Sequence, residues 1–188
     1  MEKCLILGCG PSLNKIKGVE LTDIVTELTD IVTVGVNDCA KSGYIPDYLL
    51  VVDNDFTPER RKIIDSCSDK SILISHIPKC FDFKNKIGIE LGEFGQLNNL
   101  NVGGRIDYSR TSTYMAIIFA YKYLCADVIG MLGVDFTNNY GVDLELSRLH
   151  YGNLYNELKK SGCELFNLSD VSLIDTVKKL ELSNFIKI

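Results

Sequence analysis

Short apolar runs alternate along this chain with stretches of helical periodicity, and this alternation limits the fold more than any other feature. Six runs are predicted to be strands: Lys3 to Leu7, Ile31 to Val36, Tyr48 to Val52, Ser71 to Ile77, Val128 to Val134 and Glu164 to Leu168. The fifth run is almost wholly apolar, as in a strand that is covered on both faces. The pattern predicts an α/β fold with a Rossmann-like, doubly wound and mostly parallel sheet.

The helical stretches have recognisable ends. Their predicted spans are Ser12 to Ile16 as a helix start, Thr57 to about Cys67, Thr111 to Cys125 and Leu144 to Lys160. Thr57 and Pro58 suit the N-cap and the first helical position, and Ser161-Gly162 suits a helix end. The stretch from Lys79 to Arg110 is rich in Gly and Asn and is predicted to be irregular. No repeat or linker divides the 188 residues, so residues 1–188 are predicted to form a single domain.

Composition argues against several classes of function. The net charge of −5 gives no electrostatic footprint for non-specific binding of DNA or RNA. No apolar run approaches the length needed to span a bilayer, and the first residues are typical of a strand, not of a signal peptide. The seven cysteines are odd in number and have no C-x-x-C spacing, which predicts reduced thiols and a cytoplasmic protein. With only two histidines, a zinc site is not expected.

In a doubly wound sheet, ligands bind at the carboxyl ends of the strands, and the first such end is rich in glycine. Gly8-Cys9-Gly10-Pro11-Ser12 follows the first strand and precedes a helix start. Two glycines allow a sharp turn and a close approach by a ligand, and free N–H groups at a helix start suit phosphate. We therefore predict a nucleotide site at this loop, in preference to a plain tight turn. The prediction makes the chain a single nucleotide-binding domain.

Polar residues follow the second and third strands as well. Asn37 either reads a base or a ribose hydroxyl, or is an ordinary turn residue. Asp53 and Asp55 flank Asn54, a spacing that suits a divalent cation, Mg²⁺ or Mn²⁺, bridging nucleotide phosphates. Asp53 could instead bind a ribose hydroxyl without metal.

A third group of polar residues precedes the buried helix. Thr111 and Ser112 either cap this helix or hold an anionic ligand at its N-terminus. In the second case Arg105 or Arg110 would add positive charge.

Asp135 ends the most apolar strand, where an unpaired carboxylate is costly to bury, so it is expected to bind something. His150 follows a loop of Asn and Gly residues and is the candidate for acid/base chemistry, although a structural role is as easily argued. His76 lies within an apolar run and is predicted to be structural.

Taken together, these segments resemble one group of enzymes. They are Gly8 to Leu13, Val34 to Asn37, Pro46 to Tyr48, Thr111-Ser112, Leu132 to Phe136 and His150-Tyr151, in this order over nearly the whole chain. The same order is found in bacterial sialyltransferases that use CMP-sialic acid. It is also found in a broader group with motility-accessory-factor glycosyltransferases and archaeal-type 6-hydroxymethyl-dihydropterin diphosphokinases. Cys9 in place of an Asn, a short loop before His150, and Asp53-Asn54-Asp55 make the broader group the better fit.

The resemblance implies roles for particular residues. The nucleotide would be held by Gly8, Cys9, Gly10, Pro11, Ser12 and Asn37. Thr111 and Ser112 would contact the donor sugar, His150 would be the general base, and Tyr140 would steady the leaving phosphate.

Three hypotheses follow, and the sequence leaves the acceptor unidentified. The first is a glycosyltransferase-like enzyme that moves a sugar from a nucleotide-sugar donor, CMP-linked in the sialyltransferase case, to a hydroxyl acceptor. The second is a diphosphokinase in which Asp53 and Asp55 hold Mg²⁺ across a nucleoside triphosphate. The third is a nucleotide-binding protein without catalysis. The stretch from Lys79 to Arg110 would line the acceptor site or pack against another subunit of a homo-oligomer.

Overall fold

The computed structural model describes residues 2–16, 30–53, 55–95, 100, 104–137 and 143–188. Seven parallel strands form the main sheet, in the order β5-β4-β3-β2-β1-β8-β9. They are β1 (Lys3–Leu7), β2 (Val32–Val36), β3 (Tyr48–Leu50), β4 (Ile72–Ser75), β5 (Lys86–Gly88), β8 (Val128–Leu132) and β9 (Glu164–Asn167). Two further strands, β6 (Glu90–Phe94) and β7 (Arg105–Tyr108), pair in parallel with each other. The predicted α/β fold with a doubly wound parallel sheet is confirmed.

The described residues form four α-helices beside the sheet. They are α1 (Pro58–Asp65), α2 (Ser112–Tyr123), α3 (Leu144–Lys160) and α4 (Leu182–Lys187). The same part of the chain contains three 3-10 helices, at Pro11–Ile16, Cys39–Ser42 and Pro78–Cys80. Within the described ranges, no helix is both long and apolar enough to cross a membrane.

The first strand lies at the point where the order of strands reverses. From β1 the chain moves outward through β2, β3, β4 and β5, and it later returns to add β8 and β9 on the other side. Leu7 therefore pairs with Gly35 on one side and with Leu132 on the other. Such a reversal opens a crevice at the carboxyl edge of the sheet, which is where ligands bind in this kind of fold.

Each face of the sheet is covered by a hydrophobic cluster. Along β1, Cys4 and Ile6 belong to one cluster, and Leu5 and Leu7 to the other, because successive side chains of a strand point to opposite faces. The central helix α2 buries eight consecutive residues, Thr113 to Ala120. It contacts β1, β2, β7 and β8, and this covering on several sides explains its nearly uniform apolar character.

The structure differs from the sequence-based predictions in two places, one wrong prediction and one element that was not predicted. The stretch from Lys79 to Arg110 is not wholly irregular, because it contains β5, β6 and β7. These strands have three to five residues and mostly exposed or half-buried positions, so they show no clear alternation of apolar residues. The helix α4 was also missed, since six residues are too few for a helical pattern to stand out.

Candidate functional site

A cavity of about 1000 Å³ opens at the carboxyl edge of the sheet. Residues that follow the ends of β1, β2, β3, β4 and β8 line it, together with the segment between β7 and α2. The crevice at the strand reversal is therefore a cavity large enough for a small-molecule ligand.

The glycine loop after β1 is built around the carboxylate of Asp135, which follows β8. Asp135 is 1% exposed, and its two oxygens accept hydrogen bonds from the backbone N–H and the hydroxyl of Ser12, both at 2.6 Å. The Gly10 N–H donates to the Gly133 carbonyl at 2.7 Å. A Cβ atom on Gly8 would lie 2.3 Å from the Gly133 carbonyl oxygen. The glycines thus allow two loops of the protein to approach each other.

This geometry corrects the prediction of free N–H groups at the glycine loop. The N–H groups of Gly10 and Ser12 are already donated to Gly133 and Asp135. The helical stretch Pro11–Ile16 is a 3-10 helix of six residues. The carboxylate also places a negative charge where phosphate was expected. Cys9, Gly10 and Asp135 all line the cavity, and both carboxylate oxygens of Asp135 are bonded to Ser12, as the sequence analysis expected of a buried carboxylate.

Asn37 brings three of the predicted residues together. Its side-chain NH₂ lies 3.2 Å from Asp53 Oδ2 and 3.4 Å from Ser112 Oγ, and all three residues line the cavity. The backbone of Asn37 adopts a left-handed conformation with φ of 49°, which Asn tolerates better than most residues. Its Oδ1 atom is buried and has no hydrogen-bond partner within the described chain. An acceptor left unpaired beside a cavity is available to a ligand that donates a hydrogen bond.

Thr111 and Ser112 stand at the start of helix α2 as predicted, and both line the cavity. Their predicted role in holding a ligand stays a prediction. Thr111 occupies the N-cap position, and its side chain makes no capping hydrogen bond. Its hydroxyl instead lies 2.9 Å from the Tyr151 hydroxyl, which also contacts Thr113 Oγ1 at 2.5 Å. Burial raises the pKa of Tyr151 to about 12, so this phenol stays protonated. The hydroxyl cluster fixes the cavity wall at the start of α2.

A cluster of charges that the sequence analysis did not select lies after β2. Asp38 is 7% exposed, and its Oδ1 accepts hydrogen bonds from Arg60 Nε at 3.0 Å and Nη2 at 2.8 Å. Lys41 Nζ lies 3.7 Å from the other carboxylate oxygen. Burial raises the pKa of Asp38, but the hydrogen bonds and charges of Arg60 and Lys41 outweigh it and hold the pKa below its usual value. All three residues line the cavity.

Cys9 lies beside this cluster. Its Sγ is 3.4 Å from the Val36 carbonyl oxygen and 3.7 Å from Asp38 Oδ1. Burial, followed by the negative charge of Asp38, raises the pKa of the thiol to about 12. Cys9 is therefore a neutral hydrogen-bond donor at neutral pH and not a nucleophile.

His150 lies behind the cavity wall. The residue is 5% exposed, and its Nδ1 is 2.8 Å from the hydroxyl of Ser109, which does line the cavity. The ring packs against Phe94, and a Cβ atom on Gly95 would come within 2.5 Å of Nε2. Burial, with a contribution from the charge of Arg110, lowers the pKa of His150. The imidazole is therefore neutral at pH 7 and can accept a proton.

His76 occupies a position that the sequence analysis did not predict. The strand β4 ends at Ser75, so His76 is not inside a strand but follows its carboxyl end and lines the cavity. Its Nδ1 is buried and has no hydrogen-bond partner within the described residues.

Of the remaining predicted site residues, Arg110 lines the cavity, and the others lie outside it or outside the described residues. Arg105 is on β7 and pairs with Glu90, whereas Arg110 lines the cavity. Asp55 is exposed and, unlike Asp53, is not part of the cavity wall. Asn54 and Tyr140 lie outside the described residues. In the parts of the chain that the structure describes, no group of three or more His, Cys, Asp or Glu residues is arranged to hold a metal ion.

The residues that sequence reasoning missed had little to mark them. Lys41, Arg60 and Ser109 are common surface residue types. Lys41 is in the 3-10 helix after β2, Arg60 is on α1, and Ser109 precedes α2, so only the tertiary fold brings them to one cavity. Asp38 and His76 did carry a signal, because each lies one or two positions beyond the end of a strand.

The fold is that of a parallel α/β protein, and its cavity lies at the strand reversal. Comparison with models of known protein families gave no match, and no curated protein is significantly similar to the chain. The resemblance to sialyltransferases and their relatives stays a prediction.

Proposed function

We propose that this protein is a glycosyltransferase-like transferase that binds a nucleotide-activated sugar in the cavity and transfers the sugar to a hydroxyl acceptor. The observation that carries the proposal is the cavity itself. Its volume of about 1000 Å³ is at the upper end of the range of small-molecule sites, roughly 300 to 1000 Å³. The cavity therefore has room for a donor nucleotide and a second substrate.

The nucleoside part of the donor is proposed to bind at Asn37 and Asp53. The unpaired Oδ1 of Asn37 can accept a hydrogen bond from an amino group of a base or from a ribose hydroxyl. Asp53 is exposed in the cavity wall and can accept hydrogen bonds from neighbouring hydroxyls. These acceptors suit a nucleoside, which presents several donors in a small space. The sequence resemblance supports a nucleotide or nucleotide-sugar donor, and a CMP-linked donor is what the sialyltransferase case implies.

The acceptor is proposed to bind beside Ser109. Its hydroxyl oxygen would form the new bond to the anomeric carbon of the sugar, as the bond from that carbon to the phosphate oxygen breaks. The phosphate would leave with the bonding electron pair. The acceptor proton would pass to Ser109 Oγ, and the Ser109 proton would pass over 2.8 Å to Nδ1 of neutral His150. His150 would thus act through Ser109.

The diphosphokinase hypothesis receives less support from the geometry. It requires two carboxylates that hold Mg²⁺ over a triphosphate, and only Asp53 of the predicted pair lines the cavity. A nucleotide-binding protein without catalysis would have the same donor site. Turnover distinguishes it from the proposed enzyme.

The first experiment is a thermal-shift screen with CMP, CDP, UDP, GDP, AMP and ATP, each with and without Mg²⁺. Binding to the native state raises the unfolding temperature by mass action. We expect a metal-independent shift with CMP, followed by release of CMP from a CMP-sugar. A shift only with ATP and Mg²⁺ would favour diphosphoryl transfer. Binding without release of nucleotide from any sugar donor would favour the non-catalytic protein.

A further inference from the structure

We propose that the phosphate of the ligand is bound by Arg60 and Lys41 beside the end of β2, and not by the glycine loop after β1. This inference rests on the proposed function in one respect, namely that the bound phosphate is part of a nucleotide. The chemical class of the group bound there is a phosphate or pyrophosphate.

Two N–H groups of the glycine loop that were expected to bind phosphate are already engaged within the protein. The Ser12 N–H already donates a hydrogen bond to Asp135 Oδ2 at 2.6 Å, and the Gly10 N–H donates one to the Gly133 carbonyl at 2.7 Å. A phosphate at this loop would displace a buried carboxylate or lie against its negative charge. Both alternatives cost free energy, because Asp135 is 1% exposed and water screens it little.

Arg60 is held in a conformation that suits an anion. The Nε and Nη2 groups of the Arg60 guanidinium donate hydrogen bonds to Asp38 Oδ1. The centre of the Phe56 ring lies 5.0 Å from the Cζ atom of Arg60. A guanidinium has five N–H groups in one plane, so Asp38 fixes the plane without needing all of them. The side chain is still 42% exposed, and it lines the cavity. An oriented and accessible guanidinium binds phosphate well, since little conformational entropy is lost on binding.

Lys41 adds a second positive charge to the same group. Its Nζ is 3.7 Å from Asp38 Oδ2, which is beyond hydrogen-bond distance, and its side chain is 40% exposed. The single negative charge of Asp38 balances only one of the two positive charges of Lys41 and Arg60. The cluster of these three residues therefore carries a net positive charge. This excess lies in the cavity wall of a chain whose net charge is −5. The local field attracts an anion to this end of the cavity.

The alternative is that Asp38 and Arg60 only attach α1 to the segment after β2. A purely structural ion pair would affect stability and leave anion affinity unchanged. Lys41 separates the two explanations, because its ammonium makes no close hydrogen bond with Asp38 and its loss should cost little stability.

The test is isothermal titration calorimetry of the 188-residue chain with CMP, cytidine and inorganic pyrophosphate, at two salt concentrations. The variants are Lys41→Gln and Arg60→Gln. The matched control is Lys62→Gln, which removes a positive charge from the exposed side of α1, away from the cavity. Unfolding temperatures of all four proteins show whether Arg60→Gln still folds. If it does not, Lys41→Gln carries the test.

We expect each cavity variant to weaken CMP and pyrophosphate about tenfold or more, to leave cytidine affinity unchanged, and to reduce the salt dependence of binding. Wild-type affinity for CMP and pyrophosphate in both folded variants would overturn the proposal. Pyrophosphate binding that depends on Lys41 or Arg60, without binding of CMP or other nucleotides, would support the anion site and contradict the proposed function. Binding of CMP and cytidine with equal affinity would overturn the anion site and leave the nucleoside site in place. No binding of any of the three probes to the wild-type chain would overturn both.

Discussion

The hydroxyl of Ser109 connects His150 to the cavity, because His150 Nδ1 lies 2.8 Å from Ser109 Oγ. Ser109 lines the cavity, whereas His150 does not. The imidazole itself is packed against Phe94 and Tyr114. A base in this position cannot touch an acceptor without movement of its neighbours, but it can receive a proton through the serine. The distance is that of a normal hydrogen bond.

The first prediction concerns this pair. We expect His150→Gln and Ser109→Ala each to lower kcat by roughly a hundredfold or more, with little change in nucleotide affinity. The double variant should be no slower than the single variants, because both residues act in one proton transfer. Ser66→Ala, at the exposed end of α1, is the control. Losses that multiply in the double variant would contradict a common pathway.

The second prediction concerns the stability of the protein in acid. The pKa of His150 is lowered in the folded protein, so between the ordinary value of 6.5 and the lowered value the unfolded chain binds more protons than the native chain. The free energy of unfolding should therefore fall as the pH drops below 6.5. Urea unfolding at a series of pH values measures this slope. In His150→Gln the slope in this range should be smaller, and an unchanged slope would assign the effect to other groups.

The third prediction concerns the contact between the two loops. A Cβ atom on Gly10 would lie 2.6 Å from Asp135 Oδ2 and 2.7 Å from the Gly133 carbonyl oxygen, which is closer than real contacts allow. Gly10→Ala should lower the free energy of unfolding by about 1 to 3 kcal/mol. Gly88→Ala is the matched control, because the nearest atom to its added Cβ would be 3.8 Å away. Equal stability of the two variants would show that the loops separate easily.

The fourth prediction concerns cysteine reactivity. Burial and the charge of Asp38 raise the pKa of Cys9 to about 12, so very little thiolate is present at pH 8. Timed alkylation with iodoacetamide and peptide mass spectrometry should show Cys80 and Cys125, which are exposed, modified well before Cys9. Asp38→Asn removes the nearby negative charge and should speed the reaction at Cys9. Rapid alkylation of Cys9 in the wild-type protein would contradict the burial of its thiol.

The fifth prediction concerns Asn37. Asn37→Gly removes the amide and keeps the left-handed backbone accessible, because glycine adopts φ of 49° without strain. We expect nucleotide and nucleoside affinity to fall about tenfold while the unfolding temperature changes little. Asn37→Ala, which is strained at this φ, should lose stability as well. Unchanged cytidine affinity in Asn37→Gly would remove Asn37 from the nucleoside site.

Much of the sheet could be predicted, because its central strands are apolar runs bounded by turns. The bounds predicted for β1 and α3 agree with the structure. The other strands that were predicted are one to three residues shorter in the structure than in the prediction. These small differences matter at the site. The end of β4 at Ser75, two residues earlier than predicted, turns His76 from a strand residue into a cavity residue.

The convergence of Asn37 and Asp53 was also within reach of the sequence, since they follow β2 and β3 and carboxyl ends of parallel strands meet at one edge. Ser112 begins α2, and its place beside Asn37 depends on how that helix packs. The pairing of Asp38 with Arg60 was not within reach of the sequence. It depends on how α1 rotates and packs beside the segment after β2, which is a tertiary property without a local pattern. The hydrogen bonds of Asp135 were not predictable either, because the donor, Ser12, is 123 positions away in the sequence.

Ser12 and Asp135 are 123 positions apart, and each is needed to complete the other's hydrogen bonds. During synthesis on a ribosome, β1 would emerge before β8. One edge of β1 would stay unpaired until β8 is made, since Leu7 pairs with Leu132. The contact between the glycine loop and Asp135 therefore has to form after β8 has been synthesised. Long-range pairing of this kind slows folding and leaves an apolar strand edge open to wrong partners in the meantime. A nascent chain that stops before β8 should accordingly be a target for chaperones or proteases.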